Sequence, residues 1–431
     1  MNYTDYNPWW KEKEVKSELV GIKRNNFEVV SQFMDDRQIL ILKGLRRVGK
    51  TTLVYQLIDS LIRGGVSPFD IFYYSLDQPF IDIQEAIDWY KKNVAKDFEN
   101  KRVYIFLDEI QKENFWTATI KQYYDIYPNI KWVLTGSVTL DILGKANESL
   151  AGRFFSFLIE PIDFSEYLDF ISFEYDIERF SVYEEALNSH LFDYLRTGGF
   201  IEAIGKNSVF IQKYFLESLI GRIISQDINN LFSVQKPDLL AKLFQIISIS
   251  PGMLINYQNL SNDFSCDVRT LENYIGILEK SFLIRKMYNY SKNQISSERK
   301  LKRAYPYSPA FSIAFQPNRI EDPVFISILI ETLAIKNCRY FFRYKEYETD
   351  GIFTNVDSVL PVEVKYREKI QIQDLKGLMY FMKKFDAKSA IVITKNLLDR
   401  WEIDGLCIDL IPVIQFLINK SNIEKGFCSR L

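Results

Sequence analysis

The residues with the most specific chemistry lie between positions 42 and 53, where spaced glycines precede a lysine and a threonine. Gly44 is followed after four residues by Gly49-Lys50-Thr51, with an apolar strand-like run before the segment and helical apolar spacing after it. Glycines permit backbone torsions in which successive N–H groups point at a phosphate. The pattern therefore predicts a nucleotide-binding loop rather than a strand-to-helix turn that binds nothing. The expected binding residues are Gly44, Leu45, Arg46, Arg47, Val48, Gly49, Lys50, Thr51 and Thr52.

Two carboxylates follow an apolar strand further along the chain, at Asp108 and Glu109. In parallel sheets, ligands bind at the carboxyl ends of the strands. We expect Lys50 to contact the β- and γ-phosphates of ATP, and Thr51 and Asp108 to hold Mg2+. Glu109 is suited to polarise the attacking water. A chance pair of acids is the alternative, which the upstream loop disfavours.

Ser137 and Arg153 complete the residues expected around the nucleotide. Ser137 ends the apolar strand at 130–137, where its hydroxyl can hydrogen-bond the γ-phosphate or position the water. Arg153 lies in an otherwise apolar stretch, and an arginine there can stabilise charge on the γ-phosphate in the transition state. A surface arginine in an ordinary ion pair is the alternative.

A second group of charged residues lies nearer the C-terminus. Glu363 and Lys365 are two residues apart on an alternating strand, so their side chains share one face, and Asp350 lies on the neighbouring strand of a predicted hairpin. An Asp followed by Glu-x-Lys in this order is the pattern of PD-(D/E)xK nucleases, and Glu331, on the apolar helix at 324–335, resembles the helical acid that completes such sites. The pattern predicts a metal site of Glu331, Asp350 and Glu363, with Lys365 activating a water. A surface hairpin with ordinary charges is the alternative.

Composition bounds the class of protein. The chain has 431 residues, of which 47% are hydrophobic, and a net charge of −2 from 54 basic and 56 acidic residues. This length suggests two or three domains, and no global basic field marks a nucleic-acid binder. Four scattered cysteines fit a reducing compartment and argue against a disulfide framework or a zinc site. With neither a signal-peptide pattern nor an apolar run of about 20 residues, we expect a cytoplasmic protein.

Six short motifs carry a family resemblance when they are taken together. They are Gly-Leu-Arg-Arg-Val-Gly-Lys-Thr-Thr-Leu at 44–53, Leu-Asp-Glu-Ile-Gln at 107–111, Leu-Thr-Gly-Ser at 134–137, Ala-Gly-Arg-Phe at 151–154, Glu-Pro-Ile-Asp-Phe-Ser-Glu-Tyr at 160–167 and Thr-Gly-Gly-Phe-Ile-Glu at 197–202. Over nearly its whole length the chain resembles the AAA+-type ATPases predicted in archaea and bacteria, in which an ATPase core is coupled to a winged helix and a nuclease-like C-terminal domain. The resemblance implies a sensor-1 role for Ser137 and an arginine-finger role for Arg153, in its own subunit or a neighbour's.

The chain divides into four expected domains. They are an ATPase core at 1–170, a helical lid at 171–235, a winged helix at 236–310 and a nuclease-like domain at 311–431. The winged-helix assignment depends on a short helix, a turn and a longer helix at 268–280, with strands after it. Basic residues at 291–303 suit phosphate contacts. Packing without DNA contact is the alternative, because two glutamates lie on the longer helix. Its expected DNA-facing residues are Arg269, Thr270 and Asn273.

These observations predict an α/β fold in which a P-loop, AAA+-like parallel sheet and helical lid precede a winged helix and an α/β restriction-endonuclease-like domain. The expected function is Mg2+-dependent ATP binding and hydrolysis that controls a DNA-binding, nuclease-like half. The alternative is a nucleotide-controlled interaction switch whose nuclease-like domain is inactive. A kinase is disfavoured, because Asp108, Glu109 and the Thr-Gly-Ser strand end suit water activation. The expected partners are ATP and DNA without a membrane, and assembly into a homo-oligomer is left open.

Overall fold

A computed structural model of the chain describes residues 3–77, 82–136, 144, 148, 150–232, 234–355 and 358–419. Ser137, which is expected at the γ-phosphate, lies outside the described residues. The chain divides into two compact units, the first comprising the described residues of 1–162 and 200–202, and the second those of 163–199 and 203–431. Each unit contains its own β-sheet.

The first unit is built on a parallel sheet. Its strands, among the described residues, are β1 (Ile39–Lys43), β2 (Ile71–Ser75), β3 (Val103–Asp108), β4 (Ile130–Gly136) and β5 (Phe154–Leu158). Their order across the sheet is β2-β3-β4-β1-β5, and every neighbouring pair is parallel. β4 therefore lies between the strand that precedes the glycine loop and the strand that ends in Asp108.

Apolar runs explain which strands are central. All six residues of β3 and all seven of β4 are buried, as expected for parallel strands covered on both faces. The prediction of an α/β fold with a parallel sheet is confirmed for this unit. β5 was not predicted, because it lies at the edge of the sheet and none of its residues is fully buried.

Short helices precede the sheet and longer ones connect its strands. They are α1 (Tyr3–Tyr6), α2 (Trp9–Glu12), α3 (Ser17–Val20), α4 (Asn25–Ser31), α5 (Lys50–Arg63), α6 (Ile83–Asn93) and α7 (Trp116–Ile126). Single turns of 3-10 helix lie at Pro68–Asp70 and Ile110–Lys112. The predicted helix after the glycine loop is α5, which begins at Lys50 directly after Gly49.

The N-terminal helices cover the edge of the sheet at β2. Asn7 pairs with the backbone of Tyr73 as a neighbouring strand would: its side-chain amide donates to the Tyr73 carbonyl at 3.0 Å, and its side-chain oxygen accepts the Tyr73 N–H at 2.7 Å. The indoles of Trp9 and Trp10 both donate to the carbonyl of Ile71, at 3.4 and 3.0 Å. An open strand edge invites association with other chains, and this segment blocks it.

Helices dominate the first part of the second unit. They are α8 (Phe164–Phe170), α9 (Phe180–Thr197), α10 (Ser208–Lys213), α11 (Asn229–Phe232), α12 (Pro237–Ile249), α13 (Tyr257–Asp263), α14 (Val268–Lys280), α15 (Gln294–Arg299), α16 (Pro309–Phe315), α17 (Pro323–Ala334) and α18 (Lys376–Phe385). Two π-helical segments, Tyr214–Ile220 and Ile223–Ile228, lie between α10 and α11. Shorter 3-10 turns of this unit lie at Ile177–Arg179, Pro317–Arg319 and Ile372–Leu375, and residues 413–419 are helical. The 3-10 turn Ile201–Ala203 begins with residues of the first unit.

The second unit also contains a mixed sheet, whose strands alternate with these helices along the chain. Its strands, among the described residues, are β6 (Met253–Ile255), β7 (Ile284–Asn289), β8 (Lys302–Pro306), β9 (Tyr340–Tyr344), β10 (Tyr347–Thr354), β11 (Val359–Lys365), β12 (Ser389–Thr394), β13 (Asp399–Ile403) and β14 (Leu406–Pro412). Their order is β13-β14-β12-β11-β10-β9-β7-β8-β6. β7 pairs with β9, so strands from both sides of residue 310 share one sheet. The four-domain division and the winged-helix and nuclease-like assignments stay predictions.

Helix α18 lies closely against this sheet. Leu378 and Met382 of the helix pack with Val392 and Ile408 of the strands in one buried cluster. Gly377 permits the close approach, because a side chain at this position would collide with the backbone of Glu348 in β10. No helix among the described residues combines the length and apolar character needed to cross a membrane.

Candidate functional site

The predicted nucleotide-binding residues form the connection from β1 into the first turn of α5. Gly44 is required by a close approach, since a side chain there would collide with the carbonyl of Ile159, and Gly49 has a φ of 88°, which favours glycine. Lys50 is buried, and its Nζ donates to the carbonyls of Gly44 and Leu45 at 3.2 and 2.8 Å. The side chain of Lys50 therefore folds back over the loop, where it is expected to contact the phosphates.

Two arginines hold the backbone and flank of this loop. Arg24, from the N-terminal segment, donates to the carbonyl of Val48 at 2.8 Å. Arg47 has a left-handed φ of 63° and forms an ion pair with Glu202, which belongs to the first unit although it follows α9 in sequence. Neither Arg24 nor Glu202 was predicted as a site residue. Glu202 ends one of the sequence motifs, which was the only available signal.

Asp108 lies beside the loop in a shell of hydroxyl groups. Its buried carboxylate accepts hydrogen bonds from Thr51 Oγ1 at 2.7 Å and from the Tyr73 hydroxyl at 3.0 Å, and also from the Thr135 hydroxyl. Burial and the nearby Asp108 charge raise the pKa of Tyr73, so it remains a proton donor. Thr51 and Asp108, both expected to hold Mg2+, are thus in direct contact. Tyr73 and Thr135 were missed, because only the register of β2, β3 and β4 brings them to Asp108.

Glu109 occupies the turn that follows β3. Its backbone is left-handed, with φ 56° and ψ 46°, which is an uncommon and strained conformation for a residue with a side chain. Its N–H donates to Thr135 Oγ1 at 3.2 Å, and its carboxylate accepts a hydrogen bond from the side-chain amide of Gln111. Because of this turn, the carboxylates of Glu109 and Asp108 contact different residues, Gln111 in the first case and Thr51 in the second.

Arg153 lies apart from these residues within one chain. It directly precedes β5, whose first residue Phe154 pairs with Ile39, the first residue of β1. The glycine loop follows the other end of β1, so Arg153 and the loop lie beyond opposite ends of the strands. Its guanidinium is 3.3 Å from Asp125 Oδ1 and stacks over Tyr124 at 5.9 Å.

The residues of the second charged group come together in the second unit. β10 and β11 pair as an antiparallel hairpin, and Asp350 Oδ2 accepts the N–H of Val364 at 2.9 Å. Lys365 Nζ lies 2.5 Å from Glu363 Oε1. Glu331, on α17, accepts a hydrogen bond from the hydroxyl of Tyr305 at 2.7 Å. The side chains of this cluster thus come from three strands, β8, β10 and β11, and from helix α17.

These residues, as arranged, do not fit a divalent metal. Among the described residues, no group of three or more His, Cys, Asp or Glu side chains is arranged to hold a metal ion. Arg303 lies among the acids instead, with Nη1 3.7 Å from Glu331 and 3.9 Å from Asp350, and it is also paired with Glu348. The loop differs, because one hydroxyl and one carboxylate suit Mg2+ that is bound mainly by phosphates and water.

Burial and like charge raise the pKa values of two acids in this cluster. The pKa of Glu363 rises to about 8, chiefly because the side chain is buried and then because of Asp350, and the ion pair with Lys365 only partly opposes this. The pKa of Glu331 rises to about 7 for the same two reasons. Perturbed carboxylates of this kind are common at functional sites and also in structural ion-pair networks.

Two further surfaces of the second unit concern ligand binding. On α14, Arg269 and Asn273 are exposed, whereas the hydroxyl of Thr270 donates to Asp267 at 2.6 Å as part of the helix cap.

A cavity of about 440 Å³ adjoins Lys365. Its lining residues are Ser327, Val364, Lys365, Tyr366, Arg367 and Asp374.

A parallel sheet, a glycine loop between β1 and α5, and a buried acid in contact with the loop threonine together define a P-loop, ATPase-like α/β domain. Residues 36–168 match the family model described as AAA domain, which supports an AAA-type, P-loop ATPase-like assignment for this part of the chain. Residues 188–312 match a second family model, described as Domain of unknown function (DUF8612).

Similar proteins extend over more of the chain but are uncharacterized. A Haemophilus influenzae protein is 24% identical over 92% of this chain and 98% of its own length. Two Methanocaldococcus jannaschii proteins are 25% and 26% identical, over 83% and 65% of this chain. The match covers 82% of the former protein but only 64% of the latter. Among solved structures, a Walker-type ATPase of Pyrococcus abyssi aligns with a TM-score of 0.42 and 14% identity, covering 70% of this chain and 98% of its own.

Proposed function

We propose that the first unit binds ATP with Mg2+ and hydrolyses it. The observation that carries this proposal is the 2.7 Å hydrogen bond between Thr51, at the start of α5, and Asp108, at the end of β3. These are the two side chains that hold Mg2+ beside the β- and γ-phosphates in P-loop enzymes. Bound Mg2+ would supply charge neutralisation of the phosphates. The hydroxyl of Tyr73 keeps the Asp108 carboxylate oriented toward Thr51.

Lys50 and Glu109 have the remaining roles in this proposal. Lys50 exchanges the carbonyls of Gly44 and Leu45 for phosphate oxygens when ATP enters the loop, so its ammonium offsets charge that develops on the γ-phosphate. Glu109 accepts a hydrogen bond from the attacking water and orients it. The side-chain amide of Gln111 holds the Glu109 carboxylate in place.

An assay of phosphate release from ATP, with and without Mg2+, tests the ATPase proposal. The wild type is expected to hydrolyse ATP only with Mg2+. Lys50→Ala and Glu109→Gln should lose most of this activity, because charge stabilisation and general-base catalysis each typically contribute about 10²-fold or more. Unchanged hydrolysis in both variants would reject the assignment.

In this proposal, ATP binding and hydrolysis in the first unit control the second unit, which binds DNA through a nuclease-like domain. The hairpin that joins Asp350, Glu363 and Lys365 supports this layout, as does the cavity beside Lys365. Exposed Arg269 and Asn273 on α14 offer base and phosphate contacts in a winged helix. The lid, winged helix and nuclease-like domain would correspond to 171–235, 236–310 and 311–431.

A second candidate is a nucleotide-controlled interaction switch in which the nuclease-like domain does not cut. The observation that favours it is the position of Arg303 among Glu331, Glu348 and Asp350, where a nuclease would need a metal ion. In this case the second unit binds DNA or a protein without cleavage.

Labelled single- and double-stranded DNA, incubated with Mg2+ or Mn2+, discriminates these candidates. Metal-dependent cutting by the wild type that is lost in Asp350→Ala and Lys365→Ala supports a nuclease. DNA binding that changes with ATP, without cutting, supports the switch. If the wild type neither binds nor cuts DNA, DNA is removed from the proposal.

A further inference from the structure

The positively charged side chain of Arg303 lies in the acidic cluster of the second unit, at the place where the nuclease pattern predicts a metal ion. The guanidinium of Arg303, from β8, is within 4 Å of carboxylates on α17 and β10 and is directly paired with Glu348. Its side chain is only 13% exposed. We propose that Arg303 occupies the cation position of this cluster and thereby excludes a divalent metal.

Several contacts hold Arg303 in this position. Its Nη1 donates to the hydroxyl of Tyr305 at 3.1 Å, and that hydroxyl in turn donates to Glu331 at 2.7 Å. The guanidinium also stacks over the ring of Phe341 at 5.0 Å. β8 fixes the backbone of Arg303 through antiparallel pairing with β7 and β6, opposite Met287 and Leu254. The residue is therefore built into the cluster rather than resting on a surface.

The remaining acids of the predicted metal set each have a donor from the chain on one oxygen, while Oε2 of Glu363 is buried without a hydrogen-bond partner among the described residues. Lys365 Nζ pairs with Glu363 Oε1 at 2.5 Å, and the N–H of Val364 donates to Asp350. Mg2+ and Mn2+ require oxygen ligands at about 2 Å in a regular arrangement. A guanidinium cannot lose its proton in a protein, so Arg303 repels a second cation at every accessible pH.

This position corrects one expectation from the sequence. Arg303 ends the basic segment 291–303, which was expected to contact DNA phosphates, but its side chain neutralises acids of the same chain instead. The inference does not depend on ATP hydrolysis in the first unit. It states why the nuclease pattern can be complete in sequence and still hold no metal.

Binding of Mn2+ to the nucleotide-free, full-length chain tests the inference, with electron paramagnetic resonance as the readout. Asp108→Asn in every sample removes the metal position of the first unit. The double variant Arg303→Met with Glu348→Gln removes one charge of each sign, so the cluster keeps its net charge. It replaces Arg303→Met, which leaves buried acids without their partner, in case that single variant does not fold. We expect no Mn2+ site in the chain that retains Arg303, and a gain of one site in the double variant that Asp350→Asn abolishes.

A surface pair provides the matched control. Arg319 and Asp322 form a 2.8 Å ion pair with side chains 42% and 35% exposed, so Arg319→Met with Asp322→Asn should gain no Mn2+ site. The inference is overturned if the chain that retains Arg303 binds Mn2+ through Asp350. It is also overturned if removal of Arg303 creates no site, or if the surface control gains one equally.

Discussion

At the residue scale, the environment of Asp108 explains how the first unit can be ready for its ligand. Hydroxyl groups from Thr51, Tyr73 and Thr135 satisfy the buried carboxylate. A hydroxyl can rotate and serve as donor or acceptor, so Thr51 can turn from Asp108 toward a metal ion while the other two hydroxyls keep the carboxylate in place. Tyr73 is therefore a positioning residue for the proposed reaction.

Tyr73→Phe should lower Mg2+-dependent ATP hydrolysis about tenfold, because a hydrogen bond to a charged group contributes roughly 1.5–3 kcal/mol. The expected effect is weaker affinity for Mg2+, measured as a higher Mg2+ concentration for half-maximal rate at saturating ATP. The loss of activity is expected because Asp108 is no longer held in position relative to Thr51, and not because the chain unfolds.

Tyr123→Phe is the matched control for this variant. Its hydroxyl donates to Asp88 at 3.0 Å, which is a tyrosine–aspartate contact of the same type on α7 and α6. The two variants should lose similar stability, but only Tyr73→Phe should change the Mg2+ dependence. Identical kinetics for both variants would show that Tyr73 has a structural role only.

Glu363 should make the stability of the second unit depend on pH. Its pKa is about 8 in the folded chain, against an ordinary value of 4.5, because of burial and because Asp350 and Glu331 face it, with Lys365 opposing. Between these values the folded state holds a proton that the unfolded state has lost, so stability falls as the pH rises. Relative to Glu363→Gln, the wild type should lose about 2–4 kcal/mol between pH 5 and pH 8.

Urea unfolding of the wild type and Glu363→Gln at several pH values measures this difference. The variant cannot titrate at this position, so its curve should be flatter across the same window. If the two stability curves run parallel from pH 5 to pH 8, the folded-state proton on Glu363 is ruled out.

At the element scale, the N-terminal helices replace a missing strand at the edge of the first sheet. Asn7→Ala would leave the N–H and the carbonyl of Tyr73 buried without their partner. We expect a loss of about 2–4 kcal/mol in the free energy of unfolding, because each unsatisfied buried group costs roughly 1–3 kcal/mol. Asn100→Ala, which removes an exposed contact with Asp97 at 2.9 Å, should cost less than about 0.5 kcal/mol. Equal denaturation midpoints for the two variants would contradict this role.

Elements with strong local signals could be predicted from the sequence. The buried runs of β1, β3 and β4, and the helix at 268–280, are local patterns of apolar residues, and the structure has them within one or two residues. β5 and β9 lack such a pattern, because edge position and pairing partners decide their conformation rather than their own composition.

Side-chain partners of the sites were harder to predict than the elements. Tyr73 reaches Asp108 only because β2 and β3 are neighbours in a particular register, with Ser75 opposite Asp108. Arg303 reaches the acidic cluster only because β7 pairs with β9, which joins two stretches that the sequence suggests are separate domains. Register and the pairing of distant strands depend on tertiary structure, so no local pattern reveals them.

At the scale of the whole molecule, the position of Arg153 limits the role that it can have at the proposed ATP site. It lies at the opposite end of the strands from its own glycine loop, so an arginine-finger role requires a neighbouring subunit. If the chain forms such an assembly, Arg153→Ala and Lys50→Ala should each be inactive alone. A mixture should regain part of the activity, because the first variant supplies an intact loop and the second supplies the arginine.

ATP hydrolysis measured across a range of mixing ratios tests this prediction. Arg179→Ala is the control, since this exposed arginine forms an ion pair with Asp176 in the same turn. Full activity of Arg153→Ala by itself would exclude the finger role. Arg179→Ala by itself should keep the wild-type rate, and a loss equal to that of Arg153→Ala would contradict a specific role for Arg153.

The central claim is that the first unit hydrolyses ATP with Glu109 as the group that orients water. Single-turnover hydrolysis and equilibrium binding of ATP, measured on the same samples of wild type, Glu109→Gln and Glu113→Gln, test it most directly. We predict that all three bind ATP with similar affinity in the presence of Mg2+, and that only Glu109→Gln loses hydrolysis, by about 10²-fold or more. Hydrolysis by Glu109→Gln at the wild-type rate would contradict the account.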